Sequence, residues 1–284
     1  MNGLKKKTDL IYLIIGLLLP LVYIVLNELW LYGWYDANWA KFLPGTMGKI
    51  VLEDEYLLDA VFCLLLVTAL TPLVVKLRRE DLELGKIRDS VPMRGVNIVK
   101  TTVIAFGISG MSMVWTIAVD GLLGEVKLFS DGMEEFENLF GQAHGAFGYF
   151  WMLMSVAIFG PIVEEMIFRG VMFSALSRYL SGGLVVVITS VYFGIWHVNV
   201  IQAVYATLIG VVIGFVYLAT ENFWFPVIIH IINNSIETPP PFLENNETFI
   251  MVSNIIKLLA IIPALVLTVT MVKERKRMDK VMLQ

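Results

Sequence analysis

Apolar residues in this chain form long runs, and short polar stretches separate them. A helix of about 20 apolar residues crosses the hydrocarbon core of a bilayer. Runs near this length lie at 10–32, 58–76, 98–120, 146–179, 184–200, 202–220, 223–237 and 249–272, of which the fifth and seventh are short. The pattern predicts an all-α, polytopic membrane protein with about eight transmembrane helices.

The composition agrees with a membrane protein. Hydrophobic residues make up 57% of the 284 residues and charged residues only 16%, whereas a soluble domain carries about 25% charged residues. We expect one integrated membrane domain with three parts: helices one to three with their loops (1–145), a core of four helices (146–240), and the last helix with a basic tail (241–284). A single cysteine, Cys63, excludes an internal disulfide and a thiolate zinc site.

The charged loops predict an orientation in the cell membrane. Basic residues gather before the first run, after the second and after the last: Lys5, Lys6, Lys7, Lys76, Arg78, Arg79, Lys86, Arg88, Arg94, Lys100, Lys273, Arg275, Lys276 and Lys280. The alternate loops are acidic. Because cytoplasmic loops carry the excess of lysine and arginine, we expect both termini in the cytoplasm, as an even number of spans requires. The first run is expected to be retained as a membrane helix.

Two segments depart from simple spanning helices. The fourth run has an extent of about 50 Å against a core of about 30 Å, and Gly160-Pro161 within it predicts a kink. Between the third and fourth runs, apolar residues at helical spacing predict an interfacial amphipathic helix, although a simple outer loop is the alternative. These apolar residues are Met133, Phe136, Leu139 and Phe140.

Three charged residues inside the fourth run are the strongest indication of function. A charge near the bilayer centre costs about 2.5–3.5 kcal/mol on insertion scales, so such residues are rare and usually functional. Glu165 and Arg169 are four residues apart, so they share a helix face and can form an ion pair. Glu164 points about 100° away from Glu165. We therefore assign structure to Glu165 with Arg169, and chemistry to Glu164.

Other runs contribute further polar side chains at comparable depth. Glu164 and His197 lie about 22–27 Å along their helices from the turn that joins them, and His230 and Asn234 lie about 12–18 Å from their own turn. His230 and Asn234 share a helix face. Each alone could serve packing, since a membrane asparagine often only joins helices. Together they predict an intramembrane polar cavity with a functional site.

Two remaining basic residues are expected to have no part in this site. His144 precedes the fourth run in a glycine-rich loop and is interpreted as non-catalytic. Lys257 lies in the last run, where its long side chain can extend outward to the membrane surface.

The polar residues form three motifs that resemble those of a known family. The motifs are Glu-Glu-x-x-x-Arg (Glu164, Glu165, Arg169), Phe-x-x-x-His (Phe193, His197) and His-x-x-x-Asn (His230, Asn234). They resemble the motifs of the CPBP family, the CAAX-protease and bacteriocin-processing (Abi) intramembrane proteases, which are related to the Ras-converting enzyme. Each motif alone is weak, but the three are complete and in order over about 150–237.

The resemblance implies an eight-helix fold and endopeptidase activity within the membrane. It implies that Glu164 activates a water that His197 also holds, and that His230 and Asn234 stabilise the oxyanion. Glu165, Arg169 and Phe193 then have supporting roles. Physical reasoning leads to similar roles, because peptide hydrolysis needs a base close to a water and donors aimed at the developing oxyanion.

Cofactor use stays open between two alternatives. A zinc site would consist of Glu164, His197 and His230, a His₂Glu set with an open position for water. The metal-independent alternative, which needs no cofactor, is favoured because the asparagine beside His230 suits an oxyanion donor better than a zinc ligand.

The expected partners are the lipid bilayer and a peptide or lipidated-protein substrate within the membrane, with no nucleic acid. One alternative is a non-enzymatic immunity or regulatory protein that retains the protease fold. A proton-coupled transporter is the third hypothesis, but such proteins often show repeat symmetry between halves, and this sequence has none.

Overall fold

The structure is a computed structural model, and it describes residues 2–87, 91–138 and 145–282. Most of these residues are helical, and none of them forms a β-strand. The helices are α1 (Asn2–Tyr35), α2 (Met47–Glu53), α3 (Glu55–Glu83), α4 (Val96–Leu123), α5 (Lys127–Asn138), α6 (Gly145–Leu176), α7 (Gly182–Trp196), α8 (Val200–Thr220), α9 (Trp224–Glu237), α10 (Pro241–Glu244) and α11 (Glu247–Met282), with a 3₁₀ turn at Trp39–Phe42.

The all-α, polytopic membrane architecture predicted from the apolar runs is confirmed. Six helices in the described part of the chain are long and apolar enough to cross a membrane, namely α1, α3, α4, α6, α8 and α11. Helices α7 and α9 coincide with the two short runs and have 15 and 14 residues. At 1.5 Å per residue each extends about 22 Å, so the count of eight spans stays a prediction.

The helices are grouped into two compact units. The first unit comprises Met1–Arg79 and Gln142–Arg178, and the second comprises Glu80–Gly141 and Tyr179–Gln284. The division of the chain at 145 and 240 expected from the motifs stays a prediction.

Within the first unit, α6 packs against α1 and α3 at small residues. A Cβ atom on Gly16 of α1 would lie 3.2 Å from the Met172 Cα atom, and one on Gly170 would lie 2.9 Å from a Val74 methyl group. Small residues let membrane helices approach closely, which increases van der Waals contact. This contact fixes the half of α6 that carries Arg169.

Helix α6 departs from α geometry in two places. Residues Leu153–Phe159 and Met166–Met172 are π-helical, and the α-helical segment Gly160–Glu165 lies between them. The Gly160 N–H donates to the Ser155 carbonyl, five residues back. The change of geometry falls at Gly160-Pro161, where the sequence places a kink. π-Helical turns are rare and frequently lie at functional sites.

In the second unit, α4, α8, α9 and α11 share one apolar core. Its buried members include Ile108, Ile213, Ile229 and Ala264. A Cβ atom on Gly107 or Gly110 of α4 would collide with α11 backbone carbonyls, at 2.6 Å and 2.2 Å. These glycines therefore allow the backbones of α4 and α11 to come into contact, and α11 packs closely against α4.

Helix α5 confirms that the segment after the third run is helical rather than a simple loop. Phe136 stacks edge-on to Tyr205 of α8, with ring centroids 5.8 Å apart. The sequence analysis also placed Leu139 and Phe140 on the apolar face of α5, and both lie outside the described residues. Its position at a membrane interface stays a prediction.

Orientation can be tested by labelling single cysteines in a Cys63→Ala background. From the basic loops we expect both termini in the cytoplasm. Cysteines at Lys6 and Lys276 should therefore resist a membrane-impermeant maleimide added to intact cells. Cysteines at Glu53 and Glu244, in acidic loops, should react and serve as matched controls. Labelling at either basic position before lysis would overturn the eight-span topology.

Candidate functional site

Glu165 and Arg169 form a buried ion pair on α6. Arg169 Nη1 donates to Glu165 Oε1 at 2.9 Å, and both side chains are 0% exposed. The pairing follows from their four-residue separation, as the sequence predicts. A buried charge is costly unless it is paired and hydrogen-bonded, so each residue keeps the other in place.

Glu164 is the penultimate residue of the α-helical segment Gly160–Glu165. The second π-helical stretch begins two residues later, at Met166. The Glu164 side chain is partly buried, in contrast to the fully buried Glu165. The two adjacent carboxylates therefore have different surroundings. The Glu165 carboxylate forms the ion pair with Arg169. Glu164 is the carboxylate to which the sequence analysis assigns a chemical role.

His197 caps the C-terminal end of α7 and is held through one ring nitrogen. Its Nδ1 atom lies 2.7 Å from the Phe193 carbonyl oxygen, one turn back. Since a carbonyl only accepts hydrogen bonds, Nδ1 carries the hydrogen. In the neutral ring Nε2 then carries the lone pair, which can accept from a water or bind a metal.

Phe193 lies between the two histidines. Its ring contacts the imidazole of His197 edge-on, with centroids 4.8 Å apart, and that of His230 at 5.9 Å. Phe193 itself is 2% exposed. Its ring therefore fixes the spacing of two imidazoles that come from α7 and α9, which gives the first residue of the Phe-x-x-x-His motif a physical purpose.

The turn after His197 is strained. Val198 has a φ angle of 64°, which costs an L-residue about 1–2 kcal/mol. Asn199 holds the turn, because its Oδ1 accepts from the backbone N–H groups of Ile201 and Gln202 and its Nδ2 donates to the Gly132 carbonyl of α5. Backbone strain of this kind persists where neighbouring contacts enforce it, often at functional sites.

His230 and Asn234 lie one turn apart on α9, and His230 is 5% exposed. Asn233, which belongs to none of the motifs, is equally buried and donates from Nδ2 to Asn234 Oδ1 at 3.0 Å. Sequence reasoning passed over Asn233, since two adjacent asparagines give no sign of which one supports the other.

The expectation that Lys257 extends outward is wrong. Its side chain is 8% exposed and its Nζ atom lies 2.9 Å from Glu237 Oε2 at the end of α9. Ser109 of α4 donates to the other oxygen of the same carboxylate. The buried ammonium finds its counter-charge on a neighbouring helix and therefore has no need to reach the membrane surface.

The predicted residues are distributed over both units. Glu164, Glu165 and Arg169 belong to the first, whereas Phe193, His197, His230 and Asn234 belong to the second. Convergence of Glu164 with the histidines therefore stays a prediction. His144 lies outside the described residues.

Within either unit, the described residues contain no group of three metal-binding side chains. The zinc set drawn from the sequence takes members from both units and stays a prediction. Its donor chemistry fits, because zinc-binding histidines also donate their other ring N–H to a carbonyl or carboxylate, as His197 donates to Phe193.

Comparison with known proteins identifies the segment that carries these residues. Residues 146–236 match the model of the family described as Type II CAAX prenyl endopeptidase Rce1-like. The matched segment contains all three motifs. By this match and these motifs, the segment is similar to the CPBP family. The matched segment starts next to the N-terminus of α6 and ends at the penultimate residue of α9.

A curated relative extends the comparison beyond the matched segment. A protein of Bacillus subtilis (strain 168), named "Putative membrane peptidase YdiL", is 30% identical over 153 residues, which are 49% of this chain and 63% of that relative. The chain thus covers a little under two thirds of the relative's length. No solved structure matches the chain.

Proposed function

We propose that this chain is an intramembrane endopeptidase that hydrolyses a peptide bond in a membrane-associated peptide or a lipidated, CAAX-like protein tail. The observation that carries the proposal is that the matched segment, residues 146–236, contains every residue of the three motifs. The names of the family and of the Bacillus relative, an endopeptidase and a membrane peptidase, support the same reaction class.

In the proposed mechanism Glu164 acts as a general base. Its carboxylate takes a proton from a water as the water oxygen attacks the carbonyl carbon of the scissile bond. His197 holds the same water through Nε2, the nitrogen that the Phe193 contact leaves as acceptor. A positioned base of this kind contributes about 10²–10⁴-fold in rate.

His230 and Asn234 stabilise the charge that develops on the carbonyl oxygen. A ring N–H and an amide Nδ2 donate to this oxyanion, which then collapses as the C–N bond breaks. The proton on Glu164 passes to the leaving amine. The oxygen and the other hydrogen of the water become part of the new carboxyl group, so the reaction balances. Preorganised donors act strongly in a buried site, because no solvent has to reorient.

The remaining motif residues position these groups. Arg169 neutralises Glu165 at 2.9 Å, and in the proposed mechanism the neighbouring Glu164 transfers the proton. Phe193 separates the imidazoles of His197 and His230 through its two ring contacts. Neither role requires contact with the substrate.

A comparison of membrane peptides can identify a substrate of unknown sequence. Membrane peptidomes would be compared between cells that express wild-type protein and cells that express Glu164→Ala at the same level, with Glu247→Gln as a control at an exposed carboxylate on α11. We expect a defined set of peptides to appear with wild type and with the control, and to be absent with Glu164→Ala. Identical peptidomes would favour the non-enzymatic alternative.

We further propose that the reaction is metal-independent. Zinc held by Glu164, His197 and His230 would supply an activated water, and each of these residues would then be needed for metal binding. Elemental analysis of purified active protein is expected to find far less than one zinc per chain, and His230→Gln should leave the metal content unchanged. Stoichiometric zinc whose removal by a chelator stops cleavage, and whose return restores it, would contradict the proposal.

A further inference from the structure

Two adjacent amides on α9 form a bond that sets the direction of one of them. Asn233 Nδ2 lies 3.0 Å from Asn234 Oδ1, and Asn233 is 5% exposed. A side chain amide has a donor end, Nδ2, and an acceptor end, Oδ1. Because Asn233 donates to the acceptor end of Asn234, Nδ2 is the end of Asn234 that can donate elsewhere.

The direction of the Asn234 amide matters for the chemistry proposed above. An oxyanion is stabilised by a donor and repelled by an acceptor, so the two orientations of one amide have opposite effects. The shape of an asparagine side chain does not distinguish them. A neighbouring group must therefore select the orientation, and in this structure the amide of Asn233 is placed to do so.

We propose that Asn233 is a positioning residue that holds the Asn234 amide with Nδ2 directed away from Asn233 and toward the reacting carbonyl. This inference rests on the proposed function, in which Asn234 is an oxyanion donor. It assigns a role to a buried side chain outside the three motifs.

A near-isosteric substitution tests the orientation directly. In Asn233→Asp an acceptor replaces the donor, so Asn234 has to turn its Nδ2 toward residue 233 and its Oδ1 toward the oxyanion. We expect product formation to fall about 10²–10³-fold, the usual effect of losing one oxyanion donor. Asn233→Leu removes the bond without forcing the turn, and its effect should be about tenfold or less.

A double variant separates positioning from a structural effect. In an Asn234→Ala background the amide that Asn233 orients is gone, so Asn233→Asp should cause no further loss. Groups that act through one another are non-additive in this way, whereas an effect on folding would add to that of Asn234→Ala. Thermal unfolding in detergent, together with expression level, identifies any variant that fails to fold.

The readout is the initial rate at which Glu164-dependent peptides accumulate in membranes after induction of each variant. If Glu164→Ala and wild type yield the same peptides, the proposed function fails and the inference fails with it. If Glu164→Ala removes the peptides but Asn233→Asp accumulates them at the wild-type rate, only the inference about Asn233 is overturned. A loss with Asn233→Asp that persists in full beside Asn234→Ala also overturns it.

Discussion

Replacing Glu164 with glutamine is expected to abolish cleavage while the protein still inserts and folds. Glutamine has the size of glutamate but cannot accept the proton from water. The rate should fall by about 10²–10⁴-fold, the contribution of a positioned general base. The measurement is the rate at which the purified variant releases the peptides that differ between wild-type and Glu164→Ala membranes.

Two controls show whether a loss of activity in Glu164→Gln comes from the missing base. Glu247→Gln, an identical chemical change at an exposed position, should retain wild-type turnover. The melting temperature of Glu164→Gln in detergent should stay close to that of wild type, since the substitution leaves the ion pair between Glu165 and Arg169 in place. Near-wild-type turnover in Glu164→Gln would remove Glu164 from the role of base.

Breaking the pair between Glu165 and Arg169 is expected to have the largest effect on stability. Both side chains are 0% exposed, and removing one partner of a buried pair costs about 3–5 kcal/mol, because the other is left as an uncompensated charge. Glu165→Gln and Arg169→Met should each lower the free energy of unfolding by about this amount, as measured by thermal or denaturant unfolding in detergent.

The double variant is the decisive control for the pair. Replacing a complete buried ion pair by uncharged side chains is often nearly neutral. Glu165→Gln combined with Arg169→Met should therefore be more stable than the sum of the two single changes predicts. Arg94→Met, at an exposed arginine, should melt like wild type. Single variants at Glu165 and Arg169 that also melt like wild type would show that the pair has no structural role.

The features that depend only on residues near one another in the sequence could be predicted. Apolar runs gave the positions of the membrane helices, because a bilayer requires length and hydrophobicity and little else. The four-residue spacing gave the pair between Glu165 and Arg169. In both cases the relevant partners lie within one helix, so the prediction did not depend on the tertiary fold.

Features that depend on contacts between helices could not be obtained in this way. Glu237 neutralises Lys257 from 20 residues away, whereas the sequence analysis relied on the length of the lysine side chain and placed its charge at the membrane surface. The ring contact between Phe193 and His230 joins α7 to α9. The orienting bond from Asn233 to Asn234 is local, yet adjacent amides look equivalent in a sequence, and only the direction of the bond distinguishes them.

The π-helical stretches on either side of Gly160–Glu165 affect how the first motif can be transferred to other proteins. A π turn takes up more residues than an α turn, so each stretch delays the rotation of side chains around the helix axis. A helical wheel drawn at a constant 100° per residue over Gly145–Leu176 therefore assigns residues beyond either stretch to the wrong side. A design that copies Glu-Glu-x-x-x-Arg onto an ideal α-helix would inherit this angular error. The transplanted unit has to include Leu153–Phe159 and Met166–Met172 as well as the motif itself.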